Sequence, residues 1–419
     1  MRFLTRLALA AAGLTLAAGA AAAQTTVRWL HIEQNPAQVK IWEDVVRRFQ
    51  EKNPGVKVEM QYLENEAYKA KVPTLLQSRD RPHIMYSWAG GVLKAQVEAG
   101  ALADITKGVG SFKDSLAPGA VQAFVVDGKL YGLPYNVSQV GFMYNKDLFA
   151  KAGVDGTAIK SWDDFLAAVK KIKAAGITPI AVGGQDKWPL HFYWTHLAVR
   201  LGGKPAFEAA LKGQGGGFEG ETFQKAGELM KQLVDIEPFQ NGFLGFKNQQ
   251  ALGYFGDGKA AMNLAISHHS ATQRALAADK KGVPEDKLGW FDFPMPAGAK
   301  GNPTDTLGGV NGWLITEGAP KEAVEFVKFF VSDEVQRELA KQNFIIPVFK
   351  GADAALSAPF MQNVAKNIAA SGYHQNFYDQ DLGPSVGRVV NDAAAEIAGG
   401  SMTPKQAAKA IQDAYKQGN

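Results

Sequence analysis

The strongest constraint on the fold is a hydrophobic spacing that switches repeatedly between strand-like and helix-like along the first part of the chain. Residues 27–32, VRWLHI, read as a strand. Pro36 then opens a helix on which Val39, Trp42, Val45, Val46 and Phe49 recur at helical spacing, and Asn53-Pro54-Gly55 stops it. Residues 56–62, VKVEMQY, alternate as a strand does; a second helix is expected over 68–77 and a third strand over 83–88. Strands that alternate with helices are joined by crossovers, so this order predicts a parallel sheet with helices on its faces.

The pattern resumes further on. Ser161-Trp162-Asp163-Asp164 resembles a capping box for a helix over 165–175, followed by a strand over 177–182. Thr403-Pro404 opens a late helix with a cap and a proline at its first position. Between these regions, DGKLYGLPYNVSQVGFMYNKDLF (127–149) breaks an otherwise extended, apolar run with Gly132, Pro134 and Asn136. Two α/β domains are the base expectation for 419 residues.

The N-terminus specifies a compartment. Arg2 and Arg6 precede an apolar run over 7–20, and Ala21-Ala22-Ala23 fits an A-x-A cleavage site before Gln24. Residues 1–23 therefore read as a secretory signal peptide; an uncleaved anchor fits less well because the run is short for a bilayer. The sequence has no cysteine, which rules out disulfides, thiol catalysis, thiolate metal sites and a lipid on a cysteine after the cleavage point. Export without a lipid anchor points to the periplasm. The formal charge is +4, and the basic residues are scattered, so no nucleic-acid partner is expected. The 8 Trp, 11 Tyr and 24 Phe exceed ordinary core needs and hint at an aromatic-lined site.

Several patterns imitate enzymes. Gly253 to Lys259 nearly spells a P-loop, but Ala260 stands where a Ser or Thr must hold magnesium, and an apolar strand follows. Gly215-Gly216-Gly217-Phe218-Glu219-Gly220 satisfies a dinucleotide spacing but follows a helix, where the fingerprint requires a strand, and reads as a surface loop. His268-His269, taken as strand residues, would face opposite ways. His191 and His196 lie five apart with no carboxylate beside them, so no metal site is expected. The pair Asp163-Asp164, or Glu33, would suit a glycosidase, but such acids are usually solvated surface. The H-E-x-x-H pattern of zinc peptidases does not occur.

Asp127 to Asn136, DGKLYGLPYN, followed by Tyr144 to Phe149, YNKDLF, resembles the central signature of family 1 extracellular solute-binding proteins of carbohydrate ABC transporters, the maltose-binding-protein-like group. Trp162-Asp163-Asp164-Phe165, Gly258-Lys259-Ala260-Ala261-Met262, Ile346-Pro347-Val348 and Thr403 to Ala408 are similar in the same order. The resemblance implies an α/β fold of two lobes joined by three crossings, with a ligand cleft between them. It places the first lobe at 24–135 and 294–337, the second at 138–290 and 340–419, and makes the stretch around Gly132 and Pro134 the first crossing. It implies a cofactor-free carrier, not an enzyme. A mono- or oligosaccharide would be its ligand, a membrane ABC permease its partner, and a monomer its working form.

The expected ligand contacts follow from that frame. Glu33 and Gln34 come after the first strand, where the family places polar groups. Trp88 ends the third strand ahead of Gly90-Gly91, with core packing as its alternative. Asn136 offers a donor and an acceptor at the crossing, with turn formation as the alternative. Trp188 and His191 are expected in a loop after Gly183-Gly184, where relatives present aromatic rings. His268 occupies the place of a stacking tryptophan. Trp313 follows Gly308, Gly309 and Gly312, read as glycines that bring backbone close to ligand, or else as core. Asp379 completes the set. A binding protein for a non-sugar solute and an exported carbohydrate-active enzyme are the two alternatives in function.

Overall fold

The computed structural model describes residues 24–418, and the signal peptide expected over 1–23 lies outside the described residues. Strand β1 (Thr25–His31), helix α1 (Pro36–Lys52), strand β2 (Val56–Tyr62), helix α2 (Asn65–Leu75), strand β3 (Ile84–Ser87) and helix α3 (Gly90–Glu98) follow the order read from the sequence. The apolar stripe of α1 is buried through Trp42, Val45, Val46 and Phe49. Helix α2 starts earlier than its apolar spacing suggests because Glu64 caps it: the carboxylate accepts from Glu66 N at 2.9 Å and Ala67 N at 3.2 Å.

The chain continues through β4 (Gly132–Val137), β5 (Val140–Asn145), β6 (Thr178–Ile180), α4 (Trp188–Leu211), β7 (Ala260–Ile266), α5 (His269–Leu276), β8 (Leu288–Phe291), β9 (Thr306–Gly308), β10 (Val310–Ile315), β11 (His374–Asn376) and α6 (Gly383–Gly399). Two larger sheets organise most of them, and β9 pairs in parallel with β11 apart from both. The first runs β2-β1-β3-β10-β4 and the second β8-β5-β7-β6. The parallel sheet expected from the first strands is mixed: β1 pairs in parallel with β2 and β3, whereas β10 runs antiparallel to β3 and β4. The reason is that β10 enters from the other lobe rather than through a crossover helix.

Each sheet has its own core. Trp29, Trp42, Tyr135, Trp313, Phe326 and Phe330 fill the first; Phe142, Trp162, Phe165, Tyr193 and Trp194 belong to the second. This is the two-lobed periplasmic-binding-protein architecture with a cleft between the lobes. The chain passes between lobes at Ser138-Gln139, at Gly309 and beyond Val348, and the passages are tied together. Ser138 N donates to Gly309 O at 2.9 Å, and Val137 N donates to Ile346 O at 3.1 Å.

The lobe boundaries differ from those expected. Residues 294–308 were assigned to the first lobe, yet Met295 N bonds Lys160 O, Gly301 N bonds Arg200 O and Leu307 lies in the second core. Conversely, Phe344, Ile345 and Val348, expected in the second lobe, pack in the first core. Short strands and loops carry no mark of which sheet they join, so the switch falls at the hinge contacts rather than at a change of composition.

Two site expectations also change. Trp313 is 1% exposed, stacked on Tyr135 at 5.1 Å and edge-on to Trp29 at 5.0 Å. The glycines before it serve packing. A Cβ on Gly312 would sit 2.4 Å from Phe124, and one on Gly309 2.4 Å from Phe377. Asn136 is 2% exposed, and its Oδ1 accepts from Ile346 N at 3.0 Å. It ties the first passage to the third instead of facing the cleft.

Candidate functional site: the interlobe cleft

The cleft is built largely from the ends of strands. Glu33 and Gln34 follow β1, Glu64 and Asn65 follow β2, and Trp88 follows β3. This is where an open α/β sheet gathers its ligand groups. From the second lobe come Asp186, Trp188, His191, His268, His269, Phe377 and Asp379. The cavity they enclose measures about 160 Å³ and adjoins a wider chamber of about 1060 Å³; Glu64, Lys69, Trp88, Asp186 and Asp379 line both.

Seven of the nine expected residues therefore meet in one cleft: Glu33, Gln34, Trp88, Trp188, His191, His268 and Asp379. Trp88 is set by a tight turn, for Ala89 has a φ of 60° and Gly90 one of 70°. Its ring stands edge-on to Tyr86 at 4.9 Å, Lys69 Nζ lies 5.5 Å from its centroid, and its carbonyl accepts from Asn376 Nδ2 of the second lobe at 3.1 Å. Trp188 and His191 sit in the first turns of α4 rather than in the expected loop. Pro189 occupies a position near the helix start, where its missing N–H costs nothing. His268 and His269 are likewise not strand residues. They stand where β7 turns into α5, so both rings reach the cleft, 5.3 Å apart and nearly perpendicular.

Burial shapes the protonation of these groups. It lowers His268 to about 4 and lowers His269 well below the usual histidine value. His191 is fully buried; burial lowers it, against the partial opposition of Asp379, whose Oδ1 lies 3.9 Å from Nε2. Neither His191 ring nitrogen has a partner at hydrogen-bonding geometry. Burial raises Glu33, even though its Oε1 accepts from Gln34 N at 2.9 Å and Asn35 N at 2.8 Å. Burial would also raise Asp379, but Lys69 at 3.5 Å and amide bonds from Gln380 and Asn391 outweigh it and hold the carboxyl low.

Sequence reasoning missed Glu64, Asn65, Lys69, Asp186, Asn311 and Phe377. Glu64-Asn65 were findable, since they follow β2 as Glu33-Gln34 follow β1. Asn311, the register partner of Asn136, takes the cleft-lining place that Asn136 does not. Among the described residues no three His, Asp or Glu side chains gather closely enough to hold a metal ion.

The bacterial extracellular solute-binding protein model matches residues 34–337. A structure from work on xylan utilisation by the thermophilic bacterium Caldanaerobius polysaccharolyticus superposes with a TM-score of 0.85 at 26% identity, covering 93% of this chain and 99% of that one. A chitin oligosaccharide binding protein gives 0.85 at 26%, covering 94% and 98%. The diacetylchitobiose binding protein DasA of Streptomyces coelicolor is 25% identical over 361 residues, 84% of this chain and 79% of its own. A two-lobed α/β frame, a cleft lined from both sides and a family match over most of the chain agree: this protein belongs to the bacterial extracellular solute-binding proteins, which bind and carry rather than catalyse.

Proposed function

We propose that the protein captures a carbohydrate, an oligosaccharide in preference to a monosaccharide, in the interlobe cleft and delivers it to a membrane ABC permease. It would work as a periplasmic monomer after loss of its signal peptide. One observation carries the reading: Trp88 of the first lobe and Trp188 of the second line the same cleft, among acid, amide and imidazole groups from both lobes. Indole faces match the flat C–H faces of sugar rings, and planar polar groups match neighbouring hydroxyls. The wider chamber leaves space for a chain longer than the cleft itself. The two relatives named for chitin-derived sugars support the same ligand class.

The action needs no bond making. The lobes swing about the three passages, and a ligand touching both walls only in the closed form shifts the population toward closure. Glu33, Gln34, Trp88, Trp188, His191, His268 and Asp379 are the proposed contacts. A thermal-shift screen against mono- and oligosaccharides tests the reading. A ligand at a hundredfold excess over Kd adds about 2.7 kcal/mol of stability, so a binder raises Tm measurably. A flat response to every carbohydrate, or a rise only with non-sugar solutes, overturns it.

A further inference from the structure

The cleft carries more negative charge than its own cations balance. Glu33, Glu64 and Asp186 line it, each with one carboxylate oxygen committed to backbone amides: Glu33 to Gln34 and Asn35, Glu64 to Glu66 and Ala67, and Asp186 to Asn248 N at 2.7 Å. Among the described residues no other hydrogen bond or ion pair holds these three side chains. The nearby cations are already used or stand aside. Lys69 is shared between Glu66 at 3.3 Å and Asp379 at 3.5 Å and acts on Asp186 only as the smallest of the influences on it. Lys187, next to Asp186, turns to Asp392 at 2.6 Å. Lys247 lines only the adjoining chamber, from which it acts on Asp186. His191, His268 and His269 are kept neutral by burial.

Glu64 and Asp186 come from opposite lobes and line the same cavity; burial raises Asp186, and the Glu64 carboxylate pushes it the same way. Closing over a neutral ligand would strip water from both with nothing to replace it, and unpaired buried charge is costly. A bare metal ion does not answer the need, because among the described residues no three ligating side chains gather. An ammonium group on a larger molecule does. Its three N–H donors spread over more than one carboxylate and form charge-assisted bonds. A second demand comes from His191, fully buried in the cleft wall, whose ring nitrogens make no bond of good geometry and have only loose contacts with Asp379, 3.9 Å from Nε2, the Trp188 backbone and Asn391. That imidazole asks for a polar group from a ligand, and the indoles ask for a ring.

We propose that the ligand is an amine-bearing carbohydrate whose protonated amine sits between Glu64 of the first lobe and Asp186 of the second. This rests on the carbohydrate reading above and narrows it. The amine turns the repulsion between lobes into a bridge, so it favours closure as well as binding.

The test is titration calorimetry at pH 7 with three matched series, glucosamine, N-acetylglucosamine and glucose, each as monomer and as β-1,4-linked dimer and trimer. The free-amine member of the best-binding length binds about tenfold tighter or more than its N-acetyl and hydroxyl counterparts, and the preference shrinks with added salt. In the isosteric variant Glu64→Gln/Asp186→Asn the ratio of amine to hydroxyl affinity falls toward one, while an unchanged Tm shows that the fold is intact. Equal or tighter binding of the N-acetyl or hydroxyl member overturns the proposal but leaves the carbohydrate reading standing. No binding in any series, together with a flat thermal-shift screen, overturns both.

Discussion

The molecule uses tryptophan in two opposite ways. Under the first sheet, Trp29, Trp42 and Trp313 are at most 1% exposed, packed at ring separations of 5.0 to 5.5 Å, and their indole nitrogens have no hydrogen-bond partner. In the cleft, Trp88 and Trp188 are only partly buried, and their neighbours include Lys69, His269 and a lining of acids. The first set is closed by rings on all sides and stabilises the lobe. The second leaves surface free for something else to cover. An aromatic residue is a site candidate only where its neighbours leave a face open, and that depends on what lies across from it.

The largest effect that would break this comparison is at Trp313. Trp313→Ala is expected to remove about 3–5 kcal/mol of stability, read by denaturant unfolding, while the folded fraction keeps its ligand affinity. A large affinity loss without destabilisation would place Trp313 in the site after all. Next comes the contact that lets the cleft close. A Cβ on Gly91 would lie 2.5 Å from Asp381 O and 2.7 Å from Gly383 N of the second lobe. Backbone cannot yield there as a flexible side chain would, so Gly91→Ala should prop the lobes apart. Affinity falls about tenfold or more as the closed population drops, and small-angle scattering shows a larger radius of gyration with ligand present than for the parent.

Trp88→Ala tests the open set. Losing a stacking face costs about 0.5–1.5 kcal/mol beyond area, so affinity for the best carbohydrate falls severalfold to tenfold, with a smaller loss of Tm than in Trp313→Ala. Trp188→Ala should behave alike. Unaltered affinity in both would remove the stacking role.

The last contrast has no effect at neutral pH and appears only on acidification. Burial holds His31, beside the first-lobe rings, and His268, in the cleft, down at about 4. The unfolded chain takes up these protons as pH falls through about 6.5, whereas the folded chain does so only near 4. Stability is therefore flat above that window and declines through it toward acid, by about 1.4 kcal/mol per pH unit for each histidine. His31→Gln should flatten part of this slope without touching binding. His268→Gln should flatten it and also change the pH dependence of ligand affinity.

Legibility followed the range of the interactions. The strands and helices of the first lobe could be read because their causes are local: alternation, helical spacing, and the stop at Asn53-Pro54-Gly55. Glu33, Gln34 and Trp88 could be placed because strand ends gather at a cleft. Asn136 and Trp313 stay ambiguous in the sequence because the same glycine-rich, polar-interrupted pattern serves ligand approach and close packing equally well. What separates the two is the partner: Ile346 for Asn136, 210 residues away in the chain, and Tyr135 for Trp313.

By itself, the sequence determined an α/β chain without thiol chemistry and a series of motifs shared with solute-binding proteins, because composition and periodicity are properties of neighbouring residues. Only the tertiary structure decided where the chain changes lobes, which rings stay open, and that Glu64 and Asp186 line one cavity from opposite lobes while Lys69 pairs with Glu66 and Asp379. Burial and charge balance are set by residues brought together from distant parts of the chain, and no local pattern encodes them.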